Sequence, residues 1–160
     1  MAKPRNVFLV MLRILALAAT LSSALVMATS HQTTTIFNLT LEAKFQYMPA
    51  FKVLVYVNSA VTVYSLLVLF IPPTSSLSRI VVPLDALIAM LLTGTLAAAA
   101  SVSYTGKKGN PHAGWLPICD QVSDFCNQVM GSLVCAFVGV LVYTSLLLYT
   151  IQTVINPLLV

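Results

Sequence analysis

The sequence predicts an all-α fold, an integral membrane four-helix bundle with both termini in the cytoplasm. Hydrophobic residues make up 59% of the 160 residues and charged residues only 8%, against about 25% charged residues in a typical soluble domain. Four apolar runs each reach the length of about 20 residues that a bilayer-spanning helix needs. Short loops join the runs, so the chain 1–160 is predicted to form one membrane domain with no room for a soluble enzyme core.

The first helix is predicted over 7–29. A cleaved signal peptide is the alternative for this run, with Lys3, Arg5 and Arg13 as its basic region and 26–28 as a small-residue cleavage site. We favour a retained helix because the apolar run begins before Arg13. The rest of the predicted topology is the same in either case.

The other three helices are predicted over the apolar runs 50–71, 80–103 and 129–151. These runs are too long for strands and lack alternation, and an open sheet would leave unpaired backbone groups in lipid. Pro72 and Pro73 end the second run, because proline cannot continue a helix. Pro83 is expected in the first turn of the third helix, where a missing N–H does no harm. The outer loops are then 30–49 and 104–128.

Two chemical markers predict which side each loop faces, since lysine and arginine are distributed too evenly to set the orientation. Asn38 begins the glycosylation sequon Asn-Leu-Thr, which is modified only on the lumenal or outer side. Cys119 and Cys126 share one loop, and disulfides persist in oxidising compartments. Both markers follow an odd-numbered helix, which places both termini in the cytoplasm.

Arg13 and Asp85 are ionisable residues inside predicted spans, and such residues are usually functional. Each lies five or six residues into a helix that begins on the cytoplasmic side, roughly 8 to 9 Å deep at about 1.5 Å per residue. A structural ion pair is favoured over a proton or ion path, because no further acidic residue or histidine extends a relay. A third alternative has the Arg13 side chain extending to the headgroups.

Small residues recur four apart in the third and fourth predicted helices. The positions singled out for close helix packing are Gly94, Ala98, Gly131 and Gly139. Such patterns let helices approach closely. Packing within one bundle and association between copies both remain open.

The second outer loop carries the two paired cysteines. A disulfide between Cys119 and Cys126 is predicted, and a redox pair is the alternative, although the Cys-x-x-Cys spacing typical of redox motifs is absent.

The sequence predicts no metal site, because His31 and His112 lie in different loops without other ligands nearby. No nucleophile-base pattern or phosphate loop indicates an enzyme or a cofactor. The net charge of +4 comes from scattered basic residues, which argues against nucleic acid and for weak attraction to membrane lipids.

Several motifs are distributed along nearly the whole chain. They are 109–119 followed by Cys126, 47–52, 58–60, 64–65, and an arginine in the first helix with an aspartate in the third, Arg13 and Asp85. With these motifs the chain resembles the plant Casparian strip membrane domain protein-like (CASP-like) family. A remoter kinship with MARVEL-type four-helix proteins is also implied. The first outer loop, 31–46, lacks the short acidic and aromatic motif of the founding members, so the resemblance is to the "like" proteins.

The resemblance implies a multi-pass plasma-membrane protein without enzymatic activity. It implies homodimers, and heterodimers or larger assemblies with relatives, that form a scaffold and recruit cell-wall-modifying enzymes. Trp115 and Pro117 of the second outer loop are expected to face such partners. The alternatives are a small channel or transporter that uses Arg13 and Asp85, a four-helix membrane thiol oxidoreductase, and claudin-like adhesion. The adhesion alternative is disfavoured because the first outer loop has no cysteine.

Overall fold

The computed structural model describes residues 4–36, 39–71 and 78–155. Its four long helices are α1, Pro4–Thr29; α2, Pro49–Leu69; α3, Ser78–Lys108; and α4, Ser123–Ile155. A hairpin of two antiparallel strands, β1 (His31–Ile36) and β2 (Leu39–Lys44), lies between α1 and α2. Short 3-10 turns at Phe45–Tyr47 and Pro111–Ala113 complete the described elements.

The helices follow one another around the bundle in chain order. α1 packs against α2 and α4, and α3 packs against the same two helices. α1 and α3 therefore face each other across a diagonal. One end of the bundle carries the hairpin and the loop between α3 and α4, and we call it the hairpin end. The opposite end, called the termini end, carries the start of α1, the end of α2 and the start of α3.

Each helix has a stretch long and apolar enough to cross a membrane. These stretches are Val7–Thr29, Pro49–Leu69, Ile80–Lys108 and Ser123–Gln152. Large apolar side chains such as Met11, Leu67 and Met90 lie exposed on the outside of the bundle, as expected where lipid takes the place of water. The predicted all-α four-helix membrane bundle is thereby confirmed, and the side on which the termini lie stays a prediction.

The inward face of α1 follows a regular spacing of three and four residues. Its buried positions include Arg13, Ala16, Thr20, Ser23 and Met27. Residues at this spacing share one side of a helix. Because three of the five are polar, this face presents hydrogen-bonding groups to the centre of the bundle.

Apolar packing is divided into two clusters along the bundle axis. One surrounds Phe51, Phe125 and Met27 near the hairpin end. The other surrounds Leu92, Tyr143 and Leu146 nearer the termini end. Ring centroids of Phe51 and Phe125 lie 6.3 Å apart, which joins α2 to the first turns of α4.

The structure differs from the predicted boundaries at several places. α3 continues to Lys108 and α4 begins at Ser123, because polar residues outside the apolar runs still form helix. The two lysines in the last turn of α3 favour this extension, since cations stabilise a helix C-terminus.

α3 begins at Ser78, so the expectation that Pro83 lies in the first turn of this helix was wrong. It is the sixth residue of the helix and lies inside it. The first outer loop forms the hairpin, an element that the sequence analysis did not predict.

Candidate functional site

Arg13 and Asp85 meet in the interior of the bundle. Arg13 is 8% exposed and Asp85 is 1% exposed. Arg13 Nη1 donates to Asp85 Oδ1 at 2.8 Å, and Arg13 Nη2 donates to Asp85 Oδ2. This two-pronged geometry is the strong form of an arginine–carboxylate pair. The pair joins the diagonal helices α1 and α3 and leaves no net charge at this level of the bundle.

Tyr64 of α2 completes the surroundings of the ion pair. Its hydroxyl donates to Asp85 Oδ1 at 2.9 Å, and Arg13 Cζ lies 5.9 Å from the centre of its ring. A cation above an aromatic ring is attracted to the ring's negative face. Tyr64 thus contacts both charged partners, one through its hydroxyl and the other through its ring.

Tyr143 of α4 lies at the same level of the bundle as the ion pair. Its side chain is fully buried, and its hydroxyl is hydrogen-bonded to the Ser65 hydroxyl. Ser65 directly follows Tyr64 in α2. We call the five residues Arg13, Tyr64, Ser65, Asp85 and Tyr143 the polar layer. Every one of the four helices contributes to it, so the layer fixes how the helices meet at the termini end.

Further hydrogen bonds join α1 to its two neighbours nearer the hairpin end. The hydroxyls of Thr20 and Thr62 lie 2.9 Å apart and link α1 to α2. Ser132 Oγ donates to the Ser23 carbonyl at 2.8 Å and links α4 to α1. Polar contacts of this kind hold helices together in lipid, where apolar side chains gain little from leaving the solvent.

The small residues singled out for packing fall into two groups. Gly139 is buried, and a Cβ added there would lie 3.4 Å from Thr20 Cγ2, so it lets α4 approach α1 closely. Gly94 and Gly131 have no such neighbour within 4 Å, and Ala98 is exposed. Packing within one chain therefore accounts for Gly139 alone among the four, while the other three lie on the outer surface of the bundle.

A disulfide between Cys119 and Cys126 ties the second outer loop to the first turns of α4, with 5.7 Å between the two Cα atoms. Gly109 begins this loop with a φ of +69°. A Cβ there would lie 2.6 Å from the Trp115 carbonyl oxygen, so only glycine fits. The loop returns close to its start and is then held by the disulfide.

Trp115 and Pro117, the predicted partner-facing residues, lie in different surroundings. Trp115 is 62% exposed and its neighbour Leu116 is 82% exposed. Pro117 is half-buried, with its ring beside Gly109. Trp115 is available for contacts beyond the chain, whereas Pro117 mainly shapes the loop.

The hairpin is attached to α4 by a side chain. Gln32 Oε1 accepts a hydrogen bond from the Phe125 backbone N–H at 2.9 Å, which satisfies one of the free donors in the first turn of the helix. Asn38, the predicted glycosylation site, lies outside the described residues. Within the described part of the chain, no group of three or more metal-ligating side chains is present.

Glu42 has two partners on the exposed side of the hairpin. Glu42 Oε1 lies 2.6 Å from Lys44 Nζ, and Tyr47 donates its hydroxyl to Glu42 Oε2 at 2.9 Å. The hydrogen bond from Lys44, reinforced by that from Tyr47, lowers the pKa of Glu42. The same bond raises the pKa of Lys44. Both groups are therefore charged over a wide pH range.

Sequence reasoning found Arg13, Asp85 and the two cysteines but missed Tyr64, Ser65 and Tyr143 as partners. The signal available in the sequence for such partners is the spacing of three and four residues that marks the inward face of a helix. In α2 this spacing places Asn58, Val61 and Ser65 on one face, which the structure shows to be buried. Nothing in the sequence indicated that Tyr143 would hydrogen-bond to Ser65.

Comparison with known proteins shows similarity over nearly the whole chain. The family model described as the Casparian strip membrane protein domain matches residues 2–142. CASP-like protein 1C3 of Populus trichocarpa is 48% identical over 159 residues, which cover 99% of this chain and 93% of that protein. CASP-like protein 1C2 of Vitis vinifera is 53% identical over 149 residues, covering 93% of this chain and 92% of that protein.

A third relative, CASP-like protein 1C1 of Arabidopsis thaliana, is 48% identical over 148 residues, covering 92% of this chain and 90% of that protein. No solved structure matches the chain.

Proposed function

Because this chain belongs to the Casparian strip membrane protein domain family and is a multi-pass membrane protein, we propose that it is a non-enzymatic plasma-membrane scaffold. It associates with itself and with related family members and organises a membrane domain. The second outer loop, which exposes Trp115, is the surface proposed to recruit cell-wall-modifying enzymes.

The observation that carries the proposal is the outward position of Gly94 and Gly131. Both glycines lie on the lipid-facing surface with open space beside them, and Ala98 lies one turn from Gly94. Small residues on a lipid-facing surface allow the backbones of two helices to come close, which is how helices associate in membranes without a hydrophobic driving force. These positions supply such surfaces on α3 and α4.

The polar layer supports a structural role rather than ion transport. The carboxylate of Asp85 is occupied by Arg13 and by the Tyr64 hydroxyl. A carboxylate with these partners has little capacity left to bind a passing ion or proton. The disulfide of the second outer loop likewise supports a structural role over a thiol-exchange one, because it closes the loop onto α4.

Self-association is tested by cross-linking in native membranes, followed by native gel electrophoresis in mild detergent. We expect species larger than a monomer, and we expect Gly94→Leu and Gly131→Leu to reduce them. Ala100→Leu is the matched control, because Ala100 is also exposed on α3 but faces a different direction from Gly94 and Ala98. A strictly monomeric protein at native expression would refute the proposal.

The proposed orientation places both termini in the cytoplasm and the hairpin end outside the cell. Digestion with an endoglycosidase tests this, with Asn38→Gln as the control. A mobility shift of the wild type that is absent from Asn38→Gln supports the orientation, and protease protection of the second outer loop in intact cells contradicts it.

A further inference from the structure

A groove opens on the side of the bundle at the hairpin end, between α2 and α3. Its volume is about 490 Å³, within the usual range of roughly 300 to 1,000 Å³ for small-molecule sites. Phe51 of α2 and the preceding Met48 form one wall, and the second outer loop closes the top with Trp115 and Leu116. The α3 wall is formed by Ser101, Val102, Ser103, Thr105 and Gly106. We call this feature the lateral groove.

The lining of the lateral groove is mostly apolar, and its hydroxyls are largely occupied. Phe125 and Val129 of α4 form its base. Ser101 Oγ donates to the Ala98 carbonyl at 2.9 Å, and Thr105 Oγ1 donates to the Ser101 carbonyl at 3.0 Å. These hydroxyls bond to their own helix, so the groove favours an occupant without polar groups at this depth.

The position of α3 in the membrane fixes the depth of the groove. Lys107 and Lys108 end the helix and are exposed, so their ammonium groups belong at the level of the headgroups. Ser101 lies six residues before Lys107, roughly 9 Å deeper at about 1.5 Å per residue. The groove therefore runs from the headgroup level into the hydrocarbon of one leaflet.

From this depth, lining and lateral opening we infer that the lateral groove binds one acyl chain of a phospholipid, whose phosphate stays at the level of Lys107 and Lys108. Hydrocarbon is the medium beside the groove, and an apolar groove gains nothing from filling with water. The charges of the two lysines complement the phosphate. The inference rests on the spanning helices. Ser101 lies on the same face of α3 as Gly94, seven residues and roughly 10 Å further along the helix. The lateral groove is therefore free for an acyl chain only if a second copy that packs at Gly94 does not extend over Ser101.

The disulfide gives the site a covalently held wall. Cys119 and Cys126 both line the groove and are bonded to each other. This bond holds the loop that carries Trp115 and Leu116 over the acyl chain. An acyl chain in the lateral groove should therefore exchange more slowly than the lipid that surrounds the rest of the bundle.

The test uses the full-length protein in vesicles of phosphatidylcholine whose acyl chain carries a photoreactive diazirine. After illumination, peptide mass spectrometry maps the labelled residues. We expect label to concentrate on 101–106 and 115–118 in the wild type. A diazirine placed deeper in the acyl chain should move the label from Thr105 towards Ser101. Label spread evenly over exposed apolar positions such as Met90 and Leu91 would overturn the inference without any variant.

Ser101→Phe places a ring in the lateral groove and should lower labelling there about tenfold, a change of about 1.4 kcal/mol in binding free energy. Ser145→Phe is the matched control, because Ser145 is also exposed and donates to its own helix, at the Leu141 carbonyl. Labelling unchanged by Ser101→Phe would overturn the inference. Cross-linking of the Ser101→Cys variant to a second copy would also overturn it, since another chain would then cover the groove.

Discussion

Arg13 and Asp85 pair across the diagonal of the bundle, between two helices that mainly contact α2 and α4 rather than each other. Their connection is electrostatic, and the Tyr64 hydroxyl is a further polar group that contacts Asp85. Removing one partner leaves the other charge buried without compensation, which usually costs about 3 to 5 kcal/mol.

We therefore expect Arg13→Met and Asp85→Leu each to lower the thermal unfolding temperature in detergent sharply. The double variant Arg13→Met with Asp85→Leu should be more stable than either single variant, because it leaves no unpaired charge. The comparison is made by tryptophan fluorescence during heating. Additive losses in the double variant would show that the two side chains act separately.

Tyr64→Phe tests the third member of the charged cluster. The change removes the hydroxyl that donates to Asp85 Oδ1 while keeping the ring beside Arg13. A hydrogen bond to a charged group typically contributes about 1.5 to 3 kcal/mol, so we expect a clear loss of stability. Tyr56→Phe is the control, because Tyr56 lies on the same helix and is 70% exposed. Equal effects of the two changes would argue against a role for the Tyr64 hydroxyl.

Gly139→Leu should separate α4 from α1. The added side chain would meet Thr20 and Ala19, and overpacking typically costs about 1 to 3 kcal/mol. Gly131→Leu on the same helix has open space beside it and should leave the stability of the monomer unchanged. Both are measured as unfolding temperatures in a detergent that keeps the protein monomeric. If Gly139→Leu is as stable as the wild type, the close approach of the two helices is not required.

Replacing both Cys119 and Cys126 by serine should loosen the second outer loop without unfolding the helices. A disulfide that closes a short loop contributes about 2 to 3 kcal/mol. Hydrogen exchange should therefore increase within 109–122 and remain unchanged in the middle of α4. Cys135→Ser is the control, because Cys135 is a free cysteine. Unchanged exchange in the loop would mean that its backbone hydrogen bonds hold it without the disulfide.

The hairpin should respond to pH through Glu42 and Lys44. Since folding lowers the pKa of Glu42 below 4.5, its contribution is present above that value and is lost as the pH falls below it. Since folding raises the pKa of Lys44 above 10.5, its contribution is present below that value and is lost at higher pH. The protection factors of the β2 amides, which correct the exchange rate for its intrinsic dependence on pH, should be highest between these limits. Glu42→Gln should abolish the loss of protection at low pH. If the Glu42→Gln variant still loses protection at low pH, a group other than Glu42 is responsible.

The four helices and the Arg13–Asp85 pair could be predicted from the sequence for a simple reason. A long apolar run has few alternatives to a spanning helix, and two charged residues inside such runs have few partners other than each other. Tyr64 was not accessible in the same way, because a tyrosine near the end of a span equally suits the membrane interface. Only the relative rotation of α2 and α3 places its hydroxyl on Asp85.

The hairpin and the orientation of the small residues are two features that the sequence patterns did not predict. Strands β1 and β2 have six residues each and lie in a segment that hydropathy describes only as polar, although the three threonines of β1 favour strand. The spacing of Gly94 and Ala98 identifies a small-residue surface but contains no information on the direction it faces. That direction depends on which face of α3 the rest of the bundle covers.

The order of synthesis gives the diagonal ion pair a consequence for membrane insertion. Arg13 and Asp85 are 72 residues apart in the chain, and a ribosome adds about 5 to 20 residues per second. Arg13 therefore waits roughly 4 to 14 s for its partner at that rate of synthesis. During this interval α1 carries an uncompensated charge in the membrane. Arg13 can pair with Asp85 only after α3 has been made, so α1 takes its final position later than its place before α3 in the chain suggests.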